Sequence, residues 1–493
     1  MPLTPTEEQQ HAVDAALSGG SVVIEAGAGT GKTATLRMIA DALPRKRGLY
    51  IAFNKSLAVE AGRKFAGTGV VAKTGHSLAY REFGAPRRER LENSKKWMPW
   101  SSKAKLLGVT EKYTLGAASS LQTYITRESV VRLAGDTVAT FCKAAAAEIT
   151  ADLVQVPAAL LLDEAGDAGL RDYIAATARL YWADIVDPLG ELPFTHDHYF
   201  KMWQLSQPAL PYDFIMFDEA QDADPAMLGV LDGQTGSQMI AVGDREQAIY
   251  GWRGAVESMD HFGGKRTELT QSFRFGQKIA DEANFWLGML GANIRLKGVP
   301  GAPSSVWKSE RRPEAILTRS NIGSIRELLE AQKHGILVGI AGRKAPAELR
   351  ALAKAAKELQ EKGHTGHRDL DIFNSWSEVV AFSQAEEADD LAMLVRVIEE
   401  YGPDTIIEAI DSCVPTAAAE QVISTAHAAK GLEWRHVRIA DDFYPPRKDD
   451  DGHQLPMARE AARLAYVAVT RAQRHLDASG LDWAKTFTGG IAA

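Results

Sequence analysis

Short apolar runs alternate with helical patterns along the first part of the chain. Residues 22–24, 49–53 and 70–72 are runs of this kind, and the segments between them have apolar residues at helical spacing. Buried strands separated by helices are typical of a parallel sheet with crossover connections. We therefore predict an α/β unit at the start of the chain.

The pattern changes near residue 84 and again near residue 190. The segment between these positions is rich in Ala and Leu and has few strand signals, which predicts a helical insertion. Strand signals return at residues 214–217 and 239–242. A second α/β unit is predicted from about Leu269, with strands at 316–317, 336–338, 422–423 and 437–439, a helical stretch over 341–415, and a helix from Ala461 to Arg474.

Composition narrows the class of protein. The chain has 493 residues, of which 45% are hydrophobic and 24% charged, and no apolar run is long enough to span a bilayer. Its two cysteines, Cys142 and Cys413, exclude a disulfide framework and fit a reducing cytosol. The net charge of −8 argues against a uniformly basic nucleic-acid-binding surface, although a local basic groove remains compatible with it.

Residues 26–33 have the pattern of a phosphate-binding loop between a strand and a helix. The loop consists of Ala26, Gly27, Ala28, Gly29, Thr30, Gly31, Lys32 and Thr33. Glycines let the backbone wrap around phosphate oxygens, and the helix N-terminus adds partial positive charge. We expect Lys32 to reach the outer phosphates of a nucleoside triphosphate and the hydroxyl of Thr33 to bind Mg²⁺. Ala26 stands where such loops usually begin with glycine.

An acidic pair, Asp218 and Glu219, follows the apolar run at 214–217. A carboxylate at the end of a buried strand can hold Mg²⁺, and a second one beside it can deprotonate the attacking water. We assign Asp218 to the metal and Glu219 to the general base.

Taken together, the motifs resemble those of superfamily 1 DNA helicases of the UvrD, Rep and PcrA type. They occur in the family's order at Gln9 and at residues 26–33, 218–222, 242–255, 272–274, 425–434 and 466–472. Residues 53–56, 195–197 and 203–205 resemble the F-box DNA helicase branch, although no F-box-like segment precedes Gln9.

This resemblance implies an α/β fold with two RecA-like P-loop NTPase domains, each having a parallel sheet interrupted by a mostly helical insertion. The implied segments are 1–83 and 191–263 for domain 1A, 84–190 for insertion 1B, 264–340 and 416–493 for domain 2A, and 341–415 for the small insertion 2B.

It also implies roles for residues outside the phosphate loop, with ATP and Mg²⁺ as cofactors. The implied nucleotide-site residues are Gln9 and Phe273 at the adenine, Glu433 at the ribose, Gln247 at the γ-phosphate, and Arg274 and Arg471 as arginine fingers. Because the fingers belong to the second domain, the site is expected to be complete only when the domains close, which links hydrolysis to motion. Ala34 stands where close relatives often carry an adenine-stacking arginine.

Single-stranded DNA is the implied partner, together with junctions between single and double strands. The implied DNA-binding residues are Asn54, Lys55, His76, Tyr250, Trp252, Arg253 and His427. A basic stretch with interleaved aromatics, from Arg87 to Lys105, either contacts duplex DNA or is a solvated helix face with two buried tryptophans.

The function implied is an ATP-dependent helicase or translocase that moves 3′-to-5′ on single-stranded DNA. It is expected to act as a monomeric motor in the cytoplasm, encoded by a bacterium or a phage and associated with the nucleoid, with a recombination or replication protein as a possible partner. One alternative is a nucleotide-gated DNA-binding ATPase that remodels protein–DNA complexes without processive unwinding. A metabolite kinase that uses the same phosphate loop is the other.

Overall fold

Two compact units make up the chain. The structure, a computed structural model, describes residues 5–93, 98–115, 124–156, 163–249, 258–342, 345–367, 370, 373, 375–385, 389–449 and 451–492. The first unit contains residues 1–25 and 32–268, and the second contains residues 26–31 and 269–493. Within the described ranges, no helix is both long and apolar enough to cross a membrane.

The first unit is built on a six-stranded sheet. The strands of this unit are β1 (Val22–Ala26), β2 (Gly48–Ala52), β3 (Val70–Thr74), β4 (Tyr113–Thr114), β5 (Tyr124–Ile125), β6 (Phe214–Phe217), β7 (Gln238–Gly243) and β8 (Lys265–Leu269). The sheet has the order β3-β2-β6-β7-β1-β8, whereas β4 and β5 form a separate short antiparallel pair. Strand β2 pairs in parallel with β3 and β6, and β7 pairs in parallel with β6 and β1.

Helices cover this sheet and form the segment at 84–190. They are α1 (Glu7–Leu17), α2 (Lys32–Ala42), α3 (Lys55–Lys64), α4 (Gly75–Ala79), α5 (Arg88–Asn93), α6 (Trp100–Leu106), α7 (Arg127–Lys143), α8 (Glu164–Val186), α9 (His196–Leu205), α10 (Pro225–Asp232) and α11 (Ser258–His261). Every residue of β2 and β6 is buried, as expected for inner strands covered on both faces. One apolar core joins sheet residues such as Ile215 to Val131 of α7 and Ile174 of α8.

Parallel strands place the candidate site residues of the first unit at one edge of the sheet. Asn54 follows β2, His76 follows β3, Asp218 follows β6 and Asp244 follows β7. Carboxyl ends of parallel strands meet at the same edge, which is where open α/β sheets bind ligands.

The second unit has its own six-stranded sheet. Its strands are β9 (Ser305–Val306), β10 (Ala315–Thr318), β11 (Val338–Ile340), β12 (Gln421–Thr425), β13 (Trp434–Ile439) and β14 (Ala472–Asp477), in the order β11-β12-β10-β13-β14-β9. All these pairs are parallel. Its helices are α12 (Gln277–Met289), α13 (Asn321–Lys333), α14 (Ala345–Lys362), α15 (Trp376–Ala385), α16 (Asp389–Tyr401), α17 (Pro403–Asp411) and α18 (Arg459–Val469).

The two parallel sheets confirm the predicted α/β class. In the second unit, Leu349 of α14 and Ile406 of α17 belong to the same apolar core as Leu328 of α13 and Ile423 of β12. The helices of segment 341–415 therefore pack directly on the elements of this sheet. The domain boundaries implied by the resemblance stay a prediction.

One predicted helix is wrong in its extent. The sequence predicts a helix from Ala461 to Arg474, but α18 ends at Val469 and β14 begins at Ala472. The hydroxyl of Thr470 donates to the carbonyls of Tyr466 and Val467 at the helix end. Residues 472–477 then pair with β13 and β9, so the inter-strand hydrogen bonds of an inner strand replace the continued helix.

Candidate active site

The phosphate loop contains two glycines in the left-handed region. Gly29 has φ of +74° and Gly31 has φ of +79°, a region that residues with a Cβ rarely adopt. A Cβ at Gly27 would lie 2.2 Å from Leu296, and one at Gly29 would lie 2.7 Å from Ser272 and Arg274. Gly29 is thus required both by close packing and by backbone conformation, whereas Gly27 is required by packing and Gly31 by conformation.

The loop residues 26–31 make several hydrogen bonds inside the second unit. Ser272 Oγ donates to the carbonyl of Ala28 at 3.0 Å, and the backbone N–H of Phe273 donates to the carbonyl of Gly29 at 2.8 Å. The backbone N–H of Ala28 donates to the Tyr466 hydroxyl at 3.2 Å. Thr30 is buried and its hydroxyl donates to the Gly27 carbonyl, which closes the turn. The loop carbonyls are therefore occupied by protein donors.

Helix α2 begins at Lys32, directly after the loop, so Lys32 and Thr33 lie in its first turn. The Lys32 ammonium is 3.8 Å from Glu219 Oε1, and its side chain is only 14% exposed. An ammonium and a hydroxyl at a helix N-terminus suit a triphosphate with its Mg²⁺. The loop conformation and these donors fit the cofactors that the sequence predicts.

Asp218 is buried at the end of β6 beside a second carboxylate. Burial raises the pKa of Asp218 to about 6, and the negative charge of Glu219 adds to the shift. The Tyr50 hydroxyl donates to Asp218 Oδ2 and opposes that shift. A buried carboxylate with a second one beside it favours a bound cation, which fits Asp218 as a ligand of Mg²⁺.

Glu219 has an unusual backbone conformation for a residue with a side chain. Its φ is +52° and its ψ is +43°, in the left-handed region. Its N–H donates to Asp218 Oδ1 at 2.9 Å. Strained residues of this kind cluster at functional sites, where the surrounding contacts hold them in place.

A line of hydrogen bonds joins Glu219 to Gln247. Gln221 Nε2 donates to Glu219 Oε2 at 2.6 Å, and Gln221 Oε1 accepts from the backbone N–H of Asp244 at 3.0 Å. Gln247 Nε2 then donates to Asp244 Oδ2 at 2.7 Å. Gln221, Asp244 and Gln247 are all buried. The structure therefore brings the predicted base and the predicted γ-phosphate sensor into one network within the first unit.

The two predicted arginine fingers differ in their surroundings in the second unit. Arg274 Nε is 2.5 Å from Glu433 Oε2, and Arg274 Nη1 donates to the Thr470 carbonyl at 3.0 Å. The other carboxylate oxygen of Glu433 accepts from Gln473 Nε2. Arg471 is 1% exposed, and its guanidinium donates to the Val467 carbonyl and the Thr470 hydroxyl. The roles of both arginines and of Glu433 stay predictions.

The predicted adenine contacts, Gln9 and Phe273, lie in different units. Gln9 Oε1 accepts from the backbone N–H of Thr6 in a capping box at the start of α1, and its Nε2 donates to Thr35 Oγ1 at 3.3 Å. Phe273 is half exposed in the second unit. The role of each in base recognition stays a prediction.

Four of the predicted DNA-binding residues, Asn54, Lys55, His76 and His427, lie within the described part of the chain, and their surroundings differ. The Asn54 side chain caps α3 by accepting from the backbone N–H of Leu57, and Lys55 is exposed in the first turn of that helix. His76 is paired with Asp197. His427 lines a cavity of about 450 Å³ in the second unit. Tyr250, Trp252 and Arg253 lie outside the described residues.

Two arginines of the basic stretch contact the end of α8, whereas duplex contact by the stretch stays a prediction. Arg90 is half-buried and donates to the carbonyls of Ile185 and Leu192, and Arg87 Nη2 donates to the carbonyl of Val186. Since these carbonyls lie at and just beyond the end of α8, the two guanidiniums serve as a helix cap.

Sequence reasoning missed three residues of the site or its surroundings. From the sequence, Tyr50 is included only in a predicted strand and Gln221 only in a helicase motif. Asp197 is included only in a segment that resembles the F-box DNA helicase branch. Nothing in the local pattern distinguishes Tyr50 or Asp197, because Asp218 and His76, their respective partners, are 168 and 121 residues distant in the chain.

Comparison with known proteins agrees with this geometry. A family model described as an AAA domain matches residues 9–253, and one described as the UvrD-like helicase C-terminal domain matches residues 318–480. The chain is 29% identical to F-box DNA helicase protein 1 of Schizosaccharomyces pombe over 96% of its own length and 57% of that protein. It is 31% identical to F-box DNA helicase 1 of Gallus gallus over 96% of its length and 48% of that protein.

A shorter match is found with DNA helicase II of Escherichia coli, at 38% identity over 19% of the chain and 15% of that protein. The chain spans about half the length of the F-box helicases that it matches. The two family models match both halves of the chain in the predicted order, and the two long matches cover nearly all of it. The chain therefore belongs to the UvrD-like superfamily 1 helicases, near the F-box DNA helicase branch.

Proposed function

We propose that the protein is an ATP-dependent DNA helicase or translocase that moves 3′-to-5′ on single-stranded DNA. Membership in the UvrD-like helicases supports a nucleotide-driven activity on DNA, and the relatives named above are DNA helicases by name. The direction of movement and its coupling to ATP are parts of the proposal.

The observation that carries the proposal is the hydrogen-bonded line from Glu219 through Gln221 and Asp244 to Gln247. Gln247 lies three residues before Tyr250 and five before Trp252, the aromatics expected to stack on bases. A change in the contacts of Gln247 on hydrolysis would therefore alter the neighbouring segment, which is proposed to bind single-stranded DNA. A simple kinase has no need of such a connection.

The chemistry follows from the charges at the site. Lys32 would bind the outer phosphates, and Glu219 would take a proton from the attacking water. Thr33 and Asp218 would hold Mg²⁺, which supplies positive charge to the phosphate oxygens when bound. Gln221 donates to one carboxylate oxygen of Glu219, so it orients the base while the other oxygen faces Lys32.

We also propose that Arg274 and Arg471 supply positive charge to the transferred phosphate, as the resemblance implies. An arginine finger raises the hydrolysis rate by roughly 10³–10⁵. Unwinding needs the free energy of ATP hydrolysis, because separating each duplex step costs on average about 1.4 kcal/mol of stacking.

The test is ATP hydrolysis measured with and without single strands of DNA or RNA. The proposal expects DNA to increase turnover and RNA to do so less. Stimulated turnover that never displaces a strand from a tailed duplex would favour the nucleotide-gated DNA-binding ATPase. Turnover that DNA fails to stimulate would contradict a motor on DNA and favour a metabolite kinase.

A further inference from the structure

Helix α9 begins with a segment that the proposed chemistry does not use. Thr195 is its N-cap, and the backbone N–H of Thr195 donates to His198 Nδ1 at 3.1 Å. Burial lowers the pKa of His198 to about 4, so this ring is neutral and acts within the cap. Asp197 lies in the first helical turn, where the helix dipole favours a negative charge.

Asp197 is in contact with His76, at the start of α4. His76 Nε2 lies 3.1 Å from Asp197 Oδ1, and both side chains are about half exposed. The imidazole stacks on Phe200 with ring centroids 5.0 Å apart, and its edge meets Tyr199. Phe200 and Tyr199 are buried, so they form a fixed wall behind the ring.

The backbone before His76 is also fixed. Thr74 caps α4 through a capping box with Ser77, and a Cβ at Gly75 would lie 3.0 Å from the Phe200 ring. The position of the ring is thus determined by the cap, by the stack and by Asp197. A carboxylate only accepts hydrogen bonds, so Nε2 must be the donor in this pair.

We propose that Asp197 is a positioning residue that holds His76 Nε2 and thereby presents Nδ1 to a phosphate of single-stranded DNA. The inference rests on the proposed function, because it takes a DNA strand as the ligand. A phosphate contact of this kind carries no sequence information and suits a protein that moves along any strand.

The surrounding charges agree with this role. The hydrogen bond from His76 is the main cause of the lowered pKa of Asp197. Lys143, at the end of α7, also lowers the pKa of Asp197. Burial raises the pKa of Asp224, which caps α10, and His76 opposes that shift. With Nε2 donating to Asp197, Nδ1 can donate to a phosphate only from the doubly protonated ring, in which both nitrogens are donors.

The test compares the Kd of the full chain for a fluorescein-labelled oligothymidine at one fixed salt concentration, without nucleotide. We expect His76→Ala to weaken binding about tenfold, the loss of one charge-assisted hydrogen bond. Asp197→Ala is expected to weaken binding about threefold to tenfold, and the double variant no more than His76→Ala. Electrostatics alone predicts that Asp197→Ala lowers the Kd, because the change removes a negative charge near the bound DNA strand.

The chain offers a matched control in His261 and Asp232, whose Nε2 and Oδ1 atoms are 2.7 Å apart. Asp232→Ala should leave the Kd within twofold. Unchanged or tighter binding by Asp197→Ala, or an independent loss in the double variant, would overturn the positioning role. If Asp197→Ala does not fold, Asp197→Asn keeps an acceptor for Nε2 but removes the charge, so positioning predicts a Kd within twofold of the wild type, whereas electrostatics alone predicts tighter binding, which would overturn the positioning role.

The two proposals fail separately. If His76→Ala keeps the wild-type affinity for single-stranded DNA and the DNA-stimulated ATPase, the positioning role is contradicted and the proposed motor function is unaffected. A wild-type protein that neither binds the strand nor is stimulated by it would refute the motor itself.

Discussion

Gln221→Ala tests whether the hydrogen-bonded line in the first unit positions Glu219, the proposed catalytic base. The change removes the donor to Glu219 Oε2 and the acceptor for the backbone N–H of Asp244. Because Asp244 is fully buried, we expect its N–H to lose a partner at a cost of about 1–3 kcal/mol in the free energy of unfolding. Glu219 loses one of its orienting contacts, and a misplacement of about 1 Å can lower kcat about 10²-fold.

The assay is DNA-stimulated ATP hydrolysis, with kcat and KM determined separately, beside thermal unfolding. We expect kcat to fall about 10- to 100-fold while KM for ATP changes little, since the phosphate loop is untouched. Gln234→Ala is the matched control, because buried Gln234 also accepts from a backbone N–H, that of Leu210, and donates to two carbonyls. It should lose similar stability and retain kcat. A Gln221→Ala enzyme with kcat within twofold of the wild type would refute the positioning argument.

Two further changes test other parts of the site, and a third tests a buried lysine outside it. Glu219→Gln should retain binding of ATP and of single-stranded DNA but lose turnover by about 10²–10⁴, and normal hydrolysis would exclude Glu219 as the base. Tyr50→Phe removes a hydrogen bond that lowers the pKa of Asp218, so the Mg²⁺ concentration for half-maximal turnover should rise about tenfold; an unchanged Mg²⁺ titration would contradict this. Lys201→Met should lower the free energy of unfolding by about 1–3 kcal/mol with unchanged turnover, because Lys201 donates to the carbonyls of Ala144 and Ala146. Burial lowers the pKa of Lys201 to about 8, below its usual 10.5, so wild-type stability should rise between these pH values and the variant should lose that rise.

Local sequence was sufficient to predict the elements that are proposed to bind phosphate. The glycine pattern predicts a loop whose backbone can wrap closely, and Gly29 and Gly31 have the positive φ that such a loop allows. The apolar run before Asp218 predicts a buried strand that is followed by a carboxylate. Both features are determined within a few residues of the chain. The order of six motifs was then enough to predict two parallel sheets.

Contacts between distant segments could not be predicted in this way. Tyr50 reaches Asp218 because β2 and β6 are neighbours in the sheet, and Asp197 reaches His76 because α9 packs near α4. Arg87 and Arg90 look like a DNA-binding stretch by composition, but the end of α8 supplies carbonyls that they cap. The predicted helix from Ala461 to Arg474 is too long because residues 472–477 form β14, which pairs with a strand on each side.

Strand displacement on tailed duplexes tests the central claim most directly. Two duplexes of identical sequence, one with a 3′ single-stranded tail and one with a 5′ tail, are mixed with the protein, ATP and Mg²⁺, and the released strand is measured over time. The account predicts ATP-dependent release from the 3′-tailed duplex, little from the 5′-tailed one, and none with Glu219→Gln. Equal release from both tails, or release from the 5′-tailed duplex alone, would contradict movement in the 3′-to-5′ direction.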